Sequence, residues 1–248
     1  MSTAPWWRSY FDDDFYHLHE SFFPERRNRR EVAGIIELLA LPVGARVLDA
    51  PCGWGRHTEL LAEAGCAACG ADLSYDLLRR APQLSTSAGA ARYAACDIRA
   101  LPFRDACFDA VINVFTSLGL FLDDDDDLAA LREARRVLRP GGALLLETMH
   151  RDDVIRSYAA RDEWTLPDGT HVRVRRRFDA VAGVSHERLR WRRGTARGRK
   201  AHSLRLRTAT EIAALLRAAG FQPVRYCGGW SGRPFTYLTE SLIVVAAV

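Results

Sequence analysis

The sequence predicts an α/β protein with a doubly wound, mainly parallel sheet and an antiparallel β insertion. Apolar, strand-like runs alternate with helix-like segments between residues 41 and 150, a rhythm typical of strand–helix–strand units. Between residues 171 and 207 apolar residues alternate with arginine one by one, which is the period of antiparallel strands with one buried face. Hydrophobic residues make up 48% of the 248 residues and charged residues 27%, which excludes a wholly disordered chain.

Residues 1–40 are predicted to form a helical leader. Aromatic and acidic residues fill its first half, and Val32, Ile35, Ile36 and Leu39 then follow at helical spacing. The N-terminus lacks the charged start and apolar centre of a secretory signal. Six cysteines lie scattered in apolar segments, which favours reduced thiols and a cytoplasmic location.

Residues 41–150 are predicted to form the core of the parallel sheet. The almost wholly apolar strand at 109–115 indicates a strand covered on both faces. A helix begins at the five aspartates 123–127, continues through four arginines and ends before Pro140-Gly141-Gly142, so its charges match the helix dipole. The predicted strands are 46–49, 66–71, 91–96, 109–115 and 143–147, and the predicted helices are the segment ending at residue 64, 74–81 and 123–139.

The strand–helix rhythm stops at His150. Residues 151–207 are predicted to form an antiparallel insertion, with strands at 171–175, 188–192 and 203–207. Residues 208–248 return to the core. There Thr208 and Glu211 form a capping box that starts a helix reaching Ala219, and two strands follow near 223–227 and 241–248.

Charge and cysteine content exclude several classes of function. Residues 1–150 carry 16 basic and 22 acidic side chains, whereas residues 151–248 carry 19 and 9, so basic charge is regional. No apolar run approaches the roughly 18 residues of a membrane span. Cys66 and Cys69 have no second pair to complete a zinc set, and consecutive aspartates cannot all face one ion. We therefore expect no metal site and no membrane association.

Three acids follow three consecutive strands: Asp49, Asp72 and Asp97. Ligands of open parallel sheets bind beyond the carboxyl ends of the strands. Asp49 precedes a glycine turn that brings backbone close to a ligand. Asp72 lies 19 residues after Gly53, where a carboxylate can accept hydrogen bonds from ribose hydroxyls. Asp97 can accept from an exocyclic amine while the backbone N–H of Ile98 donates to the ring.

Together with Phe108–Asn113 and Leu138–Gly142, these acids make the segment from Val43 to Glu147 resemble the class I S-adenosylmethionine-dependent methyltransferases. The resemblance implies a Rossmann-like sheet of seven strands whose last strand is antiparallel. It also implies S-adenosyl-L-methionine as cofactor and S-adenosyl-L-homocysteine as product. Pro51-Cys52 replaces the Gly-Cys or Gly-Thr of many relatives, while the central glycines remain.

The resemblance assigns the cofactor contacts residue by residue. The loop after the first strand would cradle the amino-acid part, Asp72 the ribose, and Asp97 with Ile98 the adenine. Asn113 would face the methionine portion, and aromatic residues of the leader would fold over the cofactor as a lid. The residues expected at the cofactor are Tyr10, Asp49, Ala50, Pro51, Gly53, Gly55, Asp72, Leu73, Asp97, Ile98 and Asn113.

A nicotinamide dehydrogenase is the main rival on this type of sheet. Its fingerprint needs a third glycine where this chain has Thr58, and Asp49 would place negative charge beside a diphosphate. S-adenosylmethionine carries cationic groups and no phosphate, so it tolerates Asp49.

The predicted activity is methyl transfer to a nitrogen or oxygen, possibly a carbon, of a small molecule in a biosynthetic pathway. His150, just beyond the fifth strand, is the candidate base, and His57 is expected to brace the glycine loop instead. Two alternatives stay open: an RNA methyltransferase that uses the arginine-rich residues 171–207, and a non-catalytic cofactor binder. The expected assembly is a monomer or a homodimer, with nucleic acid the less favoured partner.

Overall fold

The computed structural model describes residues 5–81 and 91–248, which form eleven strands and eight α-helices. The strands are β1 (Arg46–Asp49), β2 (Ala67–Asp72), β3 (Arg92–Ala95), β4 (Phe108–Asn113), β5 (Leu138–Thr148), β6 (Arg161–Thr165), β7 (His171–Asp179), β8 (Val184–Arg193), β9 (Ala196–Arg205), β10 (Gln222–Cys227) and β11 (Leu242–Ala247). The helices are α1 (Trp7–Tyr10), α2 (Asp13–His19), α3 (Glu25–Leu39), α4 (Thr58–Glu63), α5 (Tyr75–Leu78), α6 (Asp124–Val137), α7 (Arg151–Arg156) and α8 (Ala209–Ala218).

Seven of the strands form one sheet in the order β10-β11-β5-β4-β1-β2-β3. The pairs β5–β4–β1–β2–β3 are parallel, whereas β11 is antiparallel to both β5 and β10. This topology confirms the predicted doubly wound sheet with its antiparallel last strand. It also places the loops after β1 to β5 at one edge, where ligands of such sheets bind.

The large sheet is buried on both faces. Leu144, Leu145 and Leu146 of β5 are all fully buried, since alternate side chains point to opposite faces and helices cover both. One face packs on Leu131 of α6 and the apolar residues of α8, and the other packs on Ile35 of α3 and the apolar residues of α4. A rigid, fully packed sheet therefore supports the loops that follow its strands.

The other four strands form an antiparallel sheet in the order β6-β7-β8-β9, which we call the roof sheet. Val172, Val174 and Leu189 line its inner face and pack on Leu18 of α2 and on Leu166. The insertion is thus confirmed as antiparallel, and its apolar face covers the leader.

Helix α7 and two strands differ from the sequence prediction. β5 begins at Leu138 and runs through the Pro-Gly-Gly segment, because a register shift against β4 accommodates these residues. β6 was not predicted, because Arg161–Thr165 is mostly exposed and shows no period-two alternation. The capping box at Thr208 forms as predicted, and the helix predicted to begin at the aspartates has Asp123 as its N-cap.

Candidate active site

A cavity of about 910 Å³ lies beyond the carboxyl ends of β1 to β5. The leader, the inner face of the roof sheet and the loop between β10 and β11 close it from above and from the side. The strand order sets its layout, since neighbouring strands lie about 4.8 Å apart. The loops after β3, β2 and β1 form one end of the cavity, and the ends of β4 and β5 form the other.

Asp72 and Gly53 join the second strand to the glycine turn. The backbone N–H of Gly53 donates to Asp72 Oδ2 at 2.8 Å, and the N–H of Ser74 donates to Oδ1 at 2.8 Å. Gly53 adopts a φ of +57°, and a Cβ there would meet no atom within 4 Å, so a ligand can approach the backbone. Burial raises the pKa of Asp72, against the effect of these bonds.

Asp97 and Ile98 line the cavity at the end of β3, with a partner that the sequence did not reveal. Arg99 donates to both carboxylate oxygens of Asp97, at 3.0 and 2.7 Å, and also reaches Asp126 at 2.7 Å. The Arg99 hydrogen bonds lower the pKa of Asp97. Arg99 also lies over the Trp7 ring, 4.9 Å from its centroid, so this pair supports the leader.

Asp49 and Ala50 are buried at the start of the glycine turn, and neither they nor Gly55, which ends that turn, lie on the cavity wall. Asp49 is 2% exposed and accepts the Thr58 hydroxyl at 2.7 Å, and burial raises its pKa to about 7. A Cβ on Gly55 would lie 2.5 Å from the Tyr93 hydroxyl. These residues shape the turn, whereas Pro51, Gly53 and Leu73 line the cavity.

Asn113, which was expected to face the methionine portion of the cofactor, forms hydrogen bonds within the protein. Its amide donates to the Ala50 carbonyl oxygen at 2.9 Å and accepts the Ser117 hydroxyl at 2.5 Å. It lines a separate small cavity and not the large one. Asn113 therefore fixes the backbone of the glycine turn, and Val114 and Phe115 stand on the cavity wall in its place.

His150, the candidate base, lies outside the cavity. The His150 side chain is fully buried, its Nε2 lies 2.5 Å from the Thr239 carbonyl oxygen, and it does not line the cavity. Its ring packs edge-on against Phe235, with 4.9 Å between centroids. The strand end points His150 away from the cavity because Glu147 and Met149, at alternate positions, point toward it.

His57 braces the site, as predicted, through a buried network that the sequence did not reveal. Glu31 Oε2 lies 2.7 Å from His57 Nε2 and 2.5 Å from Arg56 Nη1, and Arg56 also donates to Asn28 at 3.0 Å. Burial and the Arg56 charge lower the pKa of His57 to about 4, so we assign a neutral imidazole that donates to Glu31. Although burial opposes ionisation, the His57 bond and the Arg56 charge hold the pKa of Glu31 well below its usual range.

Glu147 is the carboxylate that reaches the cavity at the end of β5. Its Oε2 accepts the N–H of Phe115 at 2.8 Å, and no described residue donates to its Oε1. Phe115 and Thr116 both adopt left-handed φ angles, 70° and 56°, a conformation that is strained for a β-branched residue. Burial raises the pKa of Glu147. The carboxylate thus holds a strained turn with one oxygen, and the Glu147 side chain lines the cavity.

Aromatic residues of the leader line the opposite wall. Tyr10 is 6% exposed and contacts Trp6, Phe11 and His202, with ring centroids 5.0 to 5.3 Å away. Together with Trp7 and Phe15, this cluster covers the end of the cavity that Asp72 and Asp97 form. The leader therefore occupies the place expected of a lid.

Comparison with known proteins agrees with this geometry. Residues 47–142, which include the glycine turn, Asp72 and Asp97, match the family model of a methyltransferase domain. Residues 47–142 thus form a methyltransferase domain, which supports the predicted membership of the class I S-adenosylmethionine-dependent methyltransferases.

Curated methyltransferases share the core segment. A malonyl-(acyl-carrier protein) O-methyltransferase of Pseudescherichia vulneris is 37% identical over 118 residues, which are 46% of this chain and 44% of that protein. The chain thus matches about half the length of such relatives, and they carry no information on the roof sheet.

Solved methyltransferase structures match nearly the whole chain. The CcbJ methyltransferase of Streptomyces caelestis superposes with a TM-score of 0.84 at 17% identity, covering 97% of this chain and 98% of that one. An amino pentose methyltransferase of Micromonospora echinaspora, solved with bound S-adenosylmethionine, has a TM-score of 0.72 and 25% identity, with 93% and 97% covered. The leader and the roof sheet therefore belong to a shared architecture.

The residues present fit the family's cofactor, S-adenosylmethionine. Asp72 and the open backbone at Gly53 suit a ribose and an amino-acid chain, and the acids nearby suit a cationic ligand. Among the described residues, no cluster of three or more potential metal ligands occurs, and no helix is long and apolar enough to cross a membrane.

Proposed function

We propose that this methyltransferase moves a methyl group from S-adenosylmethionine to an amine or hydroxyl of a small molecule. The observation that carries the proposal is the continuous cavity, which joins the cofactor residues Gly53 and Asp72 to the Glu147 carboxylate at the end of β5. A volume of about 910 Å³ can hold a cofactor and a small acceptor side by side.

In this proposal the residues at the ends of β3, β2 and β1 would hold the cofactor. Asp97 and Ile98 would hold its adenine, Asp72 its ribose, and the backbone at Pro51 and Gly53 its amino-acid chain. Tyr10 and its aromatic neighbours would cover it and exclude water from the reacting atoms. The cofactor supplies an electrophilic methyl group on a sulfonium, and the protein mainly has to place the nucleophile in line.

We assign Glu147 as the residue that contacts the methyl acceptor. Its unpartnered Oε1 can accept a hydrogen bond from an N–H or O–H nucleophile and take its proton as the new bond to carbon forms. The raised pKa of this buried carboxyl suits a group that must hold a proton. Phe115 and Trp230 supply apolar walls near it.

An amine acceptor is consistent with one structural relative. The Micromonospora echinaspora protein is named as an amino pentose methyltransferase, and it matches this chain over nearly its full length. An amine also suits a site in which Glu147 and Glu240 line the acceptor end of the cavity.

The proposal is tested by incubating the protein with methyl-labelled S-adenosylmethionine and three acceptor pools: small amines and alcohols, bulk RNA, and bulk protein. We expect label in the small-molecule pool alone. Glu147→Gln keeps the bond to the Phe115 N–H but loses the charge, so it should lower kcat at least a hundredfold while S-adenosylhomocysteine still binds. Glu163→Gln, on an exposed strand, is the matched control. Label in RNA or protein, or equal loss in both variants, would contradict the proposal.

A further inference from the structure

Nine exposed arginines lie on the outer face of the roof sheet, among other residues such as Glu163, His171 and Ala201. Because side chains alternate across a strand, the apolar Val172, Val174 and Leu189 point inward and their neighbours point to solvent. We call these outward residues the arginine face. Its members, all exposed, are Arg161, Arg173, Arg175, Arg177, Arg188, Arg190, Arg192, Arg197 and Arg199.

The strand register places these arginines directly opposite one another. Arg190 of β8 pairs with Arg173 of β7 on one side and with Arg199 of β9 on the other. Arg175 lies between Arg161 and Arg188 in the same way. Like charges directly opposite destabilise a sheet.

Those charges are left almost uncompensated by the protein itself. Arg173 contacts Glu163 at 3.2 Å, and among the described residues the other eight members form no ion pair. The repulsion between these arginines would be relieved if an anionic partner bound to the arginine face, and such a partner best explains their arrangement.

From this face we propose that the roof sheet binds the phosphate backbone of duplex nucleic acid without reading its sequence. Successive outward residues on a strand lie about 6.7 Å apart and those on neighbouring strands about 5 Å apart. This gives a two-dimensional array of guanidinium groups, which bind phosphate oxygens in a bidentate manner. Affinity for duplex backbones comes mainly from such contacts and from the counterions they release.

The residues of the face favour a duplex over other polyanions. Protein interfaces depend on buried aromatic or apolar anchors, and the centre of this face holds only arginine. Single strands bind by stacking bases on exposed aromatic rings, whereas Trp164 and Trp191 pack on the inner side of the sheet.

The arginine face points away from the reaction. Glu187, His202 and Leu204, which line the cavity, lie on the inner side of the same strands. A duplex on the outer face therefore lies across the sheet from the cavity and is not a methyl acceptor. This inference does not depend on the proposed function.

The test is fluorescence anisotropy with a labelled 24-base-pair duplex of scrambled sequence, titrated from 50 to 300 mM salt. We expect a Kd of about 1 to 100 µM near 150 mM salt, a value typical of non-specific binding. A variant with Arg173, Arg188, Arg190 and Arg192 changed to Gln should bind at least 30-fold more weakly. In this variant the slope of log K against log salt should also become less steep, by about 4 in magnitude.

The matched control changes four other exposed arginines to Gln, at positions 26, 104, 132 and 217, and removes the same net charge. It should bind the duplex within threefold of wild type, and changing the four face positions to Lys should largely retain the slope. S-adenosylhomocysteine affinity should be equal in all four proteins. No duplex binding by wild type, equal loss in both Gln variants, or tighter binding of single strands or polyaspartate would overturn the inference.

Discussion

Lys200, the only lysine of the chain, fastens the leader to the roof sheet through Asp12. Its Nζ lies 2.5 Å from an Asp12 carboxylate oxygen and donates to the Tyr10 carbonyl oxygen at 2.8 Å. The Lys200 side chain is only 6% exposed, so the contact is largely shielded from water. Tyr10 lines the cavity, and Lys200 therefore links the roof sheet to the cover of the cofactor end.

Lys200→Met should loosen that cover. We expect about a fivefold weaker affinity for S-adenosylhomocysteine, or about 1 kcal/mol, because a shielded ion pair and a charge-assisted bond to backbone are lost. Calorimetry measures the change. Arg199→Met, one residue earlier and on the outer face, is the control and should leave the affinity unchanged. Equal affinities in wild type and Lys200→Met would show that the contact does not hold the leader.

Glu31→Gln should destabilise the protein by about 3 kcal/mol, because it leaves the Arg56 charge buried without its partner. The depressed pKa of Glu31 sets the pH dependence. Its stabilising effect is fully present above the unfolded pKa of about 4.3 and is lost as pH falls toward the folded pKa. Urea unfolding should therefore show a difference in the free energy of unfolding between wild type and variant, and this difference should become smaller below about pH 4.5. The exposed Glu25→Gln should change stability by less than about 0.5 kcal/mol.

Asp49 should give the opposite pH dependence. Its pKa is raised to about 7 by burial, so between about pH 4 and pH 7 the folded state binds a proton that the unfolded state has released. The free energy of unfolding should fall as pH rises through that window, by on the order of 1 kcal/mol per pH unit. Asp49→Asn should flatten this part of the stability curve. A variant curve parallel to that of wild type would contradict the burial argument.

His150→Phe separates a structural role from a catalytic one. The Thr239 carbonyl oxygen would lose its partner, so we expect a loss of about 1 to 3 kcal/mol in stability. The affinity for S-adenosylhomocysteine should stay within twofold, and kcat should be retained below the melting temperature. A stable variant that binds S-adenosylhomocysteine but transfers no methyl group would instead indicate a catalytic role for His150.

Sequence patterns predicted the sheet, the insertion and the strand-end acids because each depends on local periodicity or on spacing along the chain. Asp72 and Gly53 are 19 residues apart and meet because a strand–turn–helix unit brings them together. The Glu31–Arg56–His57 network joins Glu31 of α3 to two residues that lie 25 and 26 positions later, just before α4, and no period in the sequence signals it. The sequence also did not show which polar residue at the end of β5 faces the cavity. Glu147 lines it and His150 does not, because the geometry of the strand end determines where each side chain points. The alternation of side chains at the end of β5 could have indicated Glu147.

The most direct test of the cofactor site is calorimetric titration of S-adenosylhomocysteine into wild type and Asp72→Ala. Asp72 should contact the ribose and also holds the Gly53 N–H, so its loss should weaken binding at least 30-fold. Asp76→Ala, a change of a half-exposed side chain on α5 nearby, should bind as wild type does. Micromolar binding by wild type and Asp76→Ala, with little or none by Asp72→Ala, is the predicted result. No binding by wild type, or equal binding by all three proteins, would contradict the assignment of this cavity to S-adenosylmethionine.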